Sequence, residues 1–142
     1  MIKITSFKDE YLDELQEIDY IMWLSVQWNN TFIRENVFAA VDENNTLLGV
    51  CALSCDGTWY YLDDGRSDIP LYRMQMELCT GDDIEDKDIV ERELVNAVKQ
   101  RMLQIKERYP DKKLCIRCWC TENEYDKHQQ LLELGFKGYG FT

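Results

Sequence analysis

The sequence predicts an α/β or α+β sandwich, built around one mixed central sheet with helices on both faces. Three observations carry this. Short runs of alternating apolar residues, separated by Asn, Asp and Gly turns, fill much of residues 2–79. A long stretch of helical periodicity over about 85–109 then lies between two β-rich runs. A strand–helix–strand crossover of that kind is right-handed and leaves its two strands parallel. Finally, the chain has 142 residues, close to one average domain. A single domain over 1–142, able to bury its own core without a disulfide or metal staple, is therefore expected.

The elements follow in order. Residues 2–7 alternate and predict a first strand. From Asp9 onward, Leu12, Leu15, Ile18, Met22 and Val26 recur at three- and four-residue steps, the stripe of one amphipathic helix that Asn29-Asn30 ends. Trp23 and Trp28 near its end either line a site or simply pack. VFAAV at 37–41, the turn 42–45 and LLGVCALSC at 47–55 read as a hairpin. Asp56-Gly57 is a strong hairpin signal, and TWYYLD at 58–63 reads as its returning strand. After a loop ending at Pro70, residues 71–79 form a further strand. It sets Tyr72, Met74, Met76 and Leu78 on one face and Arg73, Gln75, Glu77 and Cys79 on the other.

Thr80 to Asp83 reads as a turn, with Asp82 or Asp83 capping the long helix. Val90, Leu94, Val98, Met102 and Ile105 form its apolar face, and Pro110 ends it. LCIRCWC at 114–120 is the next strand. Thr121 with Glu124 reads as a capping box for the last helix. That helix runs to Leu134, with Gly135 in the left-handed position and Phe136 as the apolar contact beyond. KGYGFT has the makings of a short final strand. The expected order is β-α-β-β-β-β-α-β-α-β.

Charge narrows the function. Sixteen Lys and Arg against 27 Asp and Glu give a net charge of −11. Such a chain repels phosphate backbones and anionic lipid, so neither nucleic acid nor a membrane surface is an expected partner. A cationic substrate or a basic protein fits the charge, as does solubility alone. The first residues show no basic region followed by an apolar one, and no apolar run approaches the ~20 residues a bilayer requires, which points to the cytoplasm. The six cysteines are at 51, 55, 79, 115, 118 and 120. On a strand, Cys115 and Cys118 point to opposite faces, and Cys51 and Cys55 lie about 13 Å apart at roughly 3.3 Å per residue. Free, largely buried thiols and no metal site are expected. One histidine, His128, leaves no HExxH or Ser-His-Asp set, and neither GxxxxGK[ST] nor GxGxxG is present.

Two stretches are similar to a known family. MELCTGDDIEDKDIVERELVNAV at 76–98 has a strand, a turn of about seven residues and a long amphipathic helix; LLELGF at 131–136 closes the last helix with an apolar residue, Gly and Phe. Together with the element order, they make the chain resemble the GNAT superfamily of acetyl-CoA-dependent N-acetyltransferases. The resemblance implies an acetyl-CoA cofactor in a splay between the strands at 71–79 and 114–120. Backbone groups of Leu78 and Thr80 would pair with its pantetheine arm, and N–H groups of Lys87, Asp88, Ile89 and Val90 would hold its pyrophosphate. It implies a small amine substrate, Glu77 as the carboxylate that takes the amine proton, and Trp59, Tyr61 and Asp63 as contacts for a cation. The family's turn carries Arg or Gln, then Gly, then Gly or Ala, where this chain has Glu85, Asp88 and Val90. The family's Tyr in the last helix matches Leu131. Weak acetyl-CoA binding is the expectation that follows. The alternative is a catalytically inactive module of the same fold, with the acidic stretch 82–93 as its surface for a basic partner.

Overall fold

The computed structural model describes residues 1–28, 32–55, 71–110, 113–120 and 123–137. The strand expected at 58–63, with Trp59, Tyr61 and Asp63, lies outside the described residues, as do Thr121 and 138–142. In chain order the elements are β1 (Lys3–Ser6), α1 (Leu12–Ile18), α2 (Tyr20–Trp28), β2 (Val37–Val41), β3 (Leu47–Cys55), β4 (Leu71–Thr80), α3 (Lys87–Arg108), β5 (Lys113–Cys118) and α4 (Tyr125–Glu133). The strands form one five-stranded sheet in the order β1-β2-β3-β4-β5. Its first three contacts are antiparallel, and β4 lies parallel to β5, as the crossover rule requires.

Alternation along the strands divides the core between two faces of the sheet. Val37, Ala39, Val50, Ala52 and Cys79 pack with Leu15, Met22 and Val26 of α1 and α2. Ala40, Cys51, Leu53, Met74 and Met76 pack with Val90, Leu94, Val95, Val98 and Ile105 of α3 and Leu131 of α4. Gly49 is required where β3 passes under α3, because a Cβ there would lie 2.8 Å from the Cys79 carbonyl oxygen. No helix of the described residues is long and apolar enough to cross a membrane.

Three local expectations are corrected. The single helix expected from Asp9 is a 3-10 turn at Asp9–Tyr11 followed by two helices, α1 and α2. The break is at Asp19, whose backbone is extended (φ −154°) and whose carboxylate accepts the Met22 N–H at 2.9 Å. Leu15 before the break and Met22 and Val26 after it enter the same core cluster. The apolar period therefore runs straight through a side-chain cap. The cap of α3 is Asp86 in the left-handed conformation (φ 57°), not Asp82 or Asp83. α4 starts after Glu124, which makes no side-chain cap, so the expected capping box is not the helix start. The end of α4 follows expectation. Gly135 has φ +95°, its N–H donates to Leu132 O at 3.1 Å, and the Phe136 N–H donates to Leu131 O at 3.0 Å.

Candidate functional site

β4 stays in register with β3 as far as Thr80, opposite Gly49. With β5 it pairs only as far as Met76, opposite Cys118. Beyond that point β4 and β5 no longer pair, and among the described residues 77–80 have no strand neighbour on that edge. The ladder shows which backbone groups this exposes. The Gly81 N–H donates to Leu48 O at 3.0 Å, so residues 81, 79 and 77 turn their peptide groups toward β3. By alternation, Leu78 and Thr80 turn theirs toward the gap. The opening is at the carboxyl end of the parallel strands, the usual place for a ligand in such a sheet.

Next to the gap is a cavity of about 280 Å³. Asp19, Ile21, Met22 and Ser25 line it from the start of α2, and Glu77 and Leu78 line it from β4. Phe32 and Ser54 complete the described wall. Glu77 is exposed and shares this wall with Leu78, whose backbone faces the gap. The expected base and one expected backbone contact are thus brought together. Asp19, Ser54 and Phe32 are new to the site: they come from three separate parts of the chain, and only the Asp19 cap has a local signal.

The first turn of α3 is at the same end of the sheet. The Asp86 carbonyl accepts the N–H groups of both Ile89 (2.9 Å) and Val90 (3.0 Å). Of the four N–H groups expected to meet a pyrophosphate, those two are spent inside the helix, leaving Lys87 and Asp88. The side chains of Asp82, Asp83, Glu85, Asp86 and Asp88 are all exposed around this turn. They favour the positive end of the helix dipole and compete with any anion for it. Val90 itself is fully buried, and Leu131, at the position matched to the family's Tyr, is buried in the core on the α3 side.

Two groups at the gap were not foreseen. Glu91, in the opening turns of α3, is only 9% exposed. Burial raises its carboxyl above the ordinary value, with Lys87, Lys127 and a hydrogen bond to the Thr80 side chain acting the other way. Lys127 of α4 brings a cation within electrostatic reach of Cys51, Cys79 and Cys118, on β3, β4 and β5. Burial nonetheless dominates these thiols, pushing Cys79 to about 12 and Cys118 to about 11. They are protonated at neutral pH and poor nucleophiles. Cys51, Cys79, Cys115, Cys118 and Cys120 are free thiols. Among the described residues, no set of three or more His, Cys, Asp or Glu is placed to hold a metal ion.

A five-stranded mixed sheet that opens between its two parallel strands, with a helix starting at the opening, has many counterparts. A provisionally named acetyltransferase from Acinetobacter baylyi superposes with a TM-score of 0.70 at 16% identity, over 99% of this chain and 81% of its own. The fold is that of the GNAT acetyltransferases. An aminoglycoside N-acetyltransferase in complex with CoA gives 0.66 at 11% identity, over 100% of this chain and 95% of its own. A Bacillus halodurans protein described as a transcriptional regulator gives 0.69 at 14% identity, over 100% and 98%. No family model matches the sequence, and no curated protein matches it.

Proposed function

We propose that this chain is an acetyl-CoA-dependent N-acetyltransferase that acts on a small amine and holds its cofactor weakly. One observation carries the reading: the open edge of β4 and the cavity meet at Glu77 and Leu78, so a donor in the gap and an amine in the cavity would lie side by side.

The residues present suit the two ends of the cofactor unequally. Peptide groups of Leu78 and Thr80 suit an extended amide-bearing arm, which pairs with them as an added strand would. At the other end, the N–H groups of Lys87 and Asp88 and the Lys87 ammonium would meet the pyrophosphate among exposed carboxylates. When bound, acetyl-CoA supplies an activated acetyl thioester. The chain's own part is acid–base chemistry and positioning. An amine enters as an ammonium, attracted by Asp19 and Glu77. A Glu77 carboxylate oxygen then accepts a proton from the nitrogen, directly or through one water, and so frees its lone pair. α2 and Phe32 keep the nitrogen beside β4. Trp59, Tyr61 and Asp63 belong to this reading as further contacts for a cation.

A second reading has one observation in its favour: the exposed carboxylates around the start of α3. In that reading the chain is a binding module of the same fold, with this surface meeting a basic protein. The Bacillus halodurans neighbour is described as a transcriptional regulator, which is compatible with this reading. The deciding experiment incubates the protein with acetyl-CoA and a panel of primary amines and weighs the products by mass spectrometry. An acetylated amine formed by the unmodified protein and lost with Glu77→Ala is the expected result. No product from any amine, together with no change in melting temperature at millimolar acetyl-CoA, overturns the enzyme reading in favour of the module.

A further inference from the structure

The cavity beside Glu77 presents hydrogen-bond acceptors and no donors from its described side chains. We infer from this that its occupant is a short aliphatic diamine, with Asp19 holding the second ammonium group. The inference deepens the amine reading above and rests on it for the role of Glu77.

Four polar side chains line the cavity: Asp19, Glu77, Ser25 and Ser54. A serine hydroxyl has one hydrogen to give and lone pairs to spare. The Ser25 hydroxyl donates to Ile21 O at 2.9 Å, and the Ser54 hydroxyl donates to Gln75 O at 3.3 Å. Both hydrogens are committed to the backbone, so each oxygen offers the cavity only its lone pairs. Ionised carboxylates also only accept. No Lys, Arg or His is among the described lining residues, and neither Asp19 nor Glu77 forms a salt bridge among the described residues. These described side chains suit an occupant that brings both protons and positive charge.

The two carboxylates are held differently. One Asp19 oxygen accepts the Met22 N–H at 2.9 Å and so fixes the side chain at the start of α2. The other oxygen remains for a ligand. Glu77 projects from a strand on another wall. Two acceptors on separate elements suit two separated ammonium groups better than one. Ile21, Met22 and Phe32 supply an apolar wall for a hydrocarbon spacer. A volume of about 280 Å³ is at the lower end for small-molecule sites, which favours a short chain. None of the four polar side chains is placed to donate to a carboxylate or a phosphate.

The test is calorimetric titration of the whole chain, without acetyl-CoA, at low salt. The probes are 1,3-diaminopropane, 1,4-diaminobutane and 1,5-diaminopentane, with butylamine and 4-aminobutanoate as controls. The best diamine is expected to bind at least about tenfold more tightly than butylamine, the gain from one charge-assisted contact. 4-Aminobutanoate should bind more weakly than butylamine. Asp19→Asn keeps an oxygen for the Met22 N–H and so preserves the helix start. It should bring the diamines down to the butylamine level while the melting temperature stays near that of the parent. Equal affinities for diamine and butylamine in the unmodified protein, or a diamine preference that survives Asp19→Asn, would overturn the inference. So would failure of every amine to bind. Acetyl transfer to butylamine as readily as to a diamine would also overturn it, leaving the enzyme reading intact. Diamine binding without any transfer would do the reverse.

Discussion

The open edge of β4 and the first turn of α3 lie at the same end of the sheet, yet they depend on sequence in opposite ways. At β4 the useful groups are peptide N–H and C=O, and any residue except proline supplies both. What exposes them is the parting of two strands after Met76 and Cys118, which is a matter of topology. At α3 the peptide groups are also present, but the side chains around them decide whether an anion is welcome. Here Glu85 and Asp88 stand where the resemblance to the GNAT family leads one to expect Arg or Gln and Gly. Structures 11–16% identical to this chain superpose with TM-scores of 0.66 to 0.70, so the fold holds while most side chains differ. Backbone-made sites outlast changes of residue; side-chain-made sites do not.

The largest expected effect is at the backbone end, on the one side chain the proposed reaction uses there. Glu77→Gln should lower kcat by about a hundredfold with little change in KM for acetyl-CoA, the usual size for losing a general base. Equal activity would move the base elsewhere. A proline pair sharpens the distinction between the two edges of β4. Leu78→Pro removes an N–H that faces the gap and should weaken acetyl-CoA binding by about tenfold, while Leu78→Ala leaves it nearly unchanged. Cys79→Pro removes an N–H that faces β3, so it should cost far more stability than Leu78→Pro. Matching losses of melting temperature would contradict the parity read from Gly81 and Leu48.

The smallest effect concerns Glu91, in the opening turns of α3. Burial raises its carboxyl above the ordinary value. Between the unfolded and the folded value the native state binds more protons, so stability falls as pH rises through that window. Glutamine at 91 lacks this slope and keeps nearly the same size. Differential melting should therefore show Glu91→Gln gaining on the parent as pH rises above about 4. A difference that stays flat or shrinks with pH would remove the buried-carboxylate account.

Much of the fold was legible because its signals are periodic or local. The stripe from Val90 to Ile105, Pro110 after it, and Gly135 with Phe136 each have one reading. Asp19 hid because a capping aspartate leaves the apolar stripe uninterrupted. Asp86 hid among five acids between 82 and 88 that all suit a helix start. Glu91 reads as one more solvated acid until α3 is seated against Thr80. The cavity was half legible. Glu77 was singled out because it flanks the expected splay, but Ser54 and Phe32 join it only through the packing of α2 over the sheet. Such contacts between distant segments leave no mark on a single sequence.

The central claim is that the gap is intact and the phosphate end is hostile. Titration of acetyl-CoA into the unmodified protein and into the Glu85→Arg/Asp88→Gly variant tests both halves at once. Each exposed carboxylate acts through screened solvent, so replacing both should tighten binding by about tenfold or more. The expected result is a Kd in the about millimolar range for the unmodified protein and a clearly lower one for the variant. Micromolar binding by the unmodified protein would contradict the hostile phosphate end, and no binding by either would contradict the intact gap.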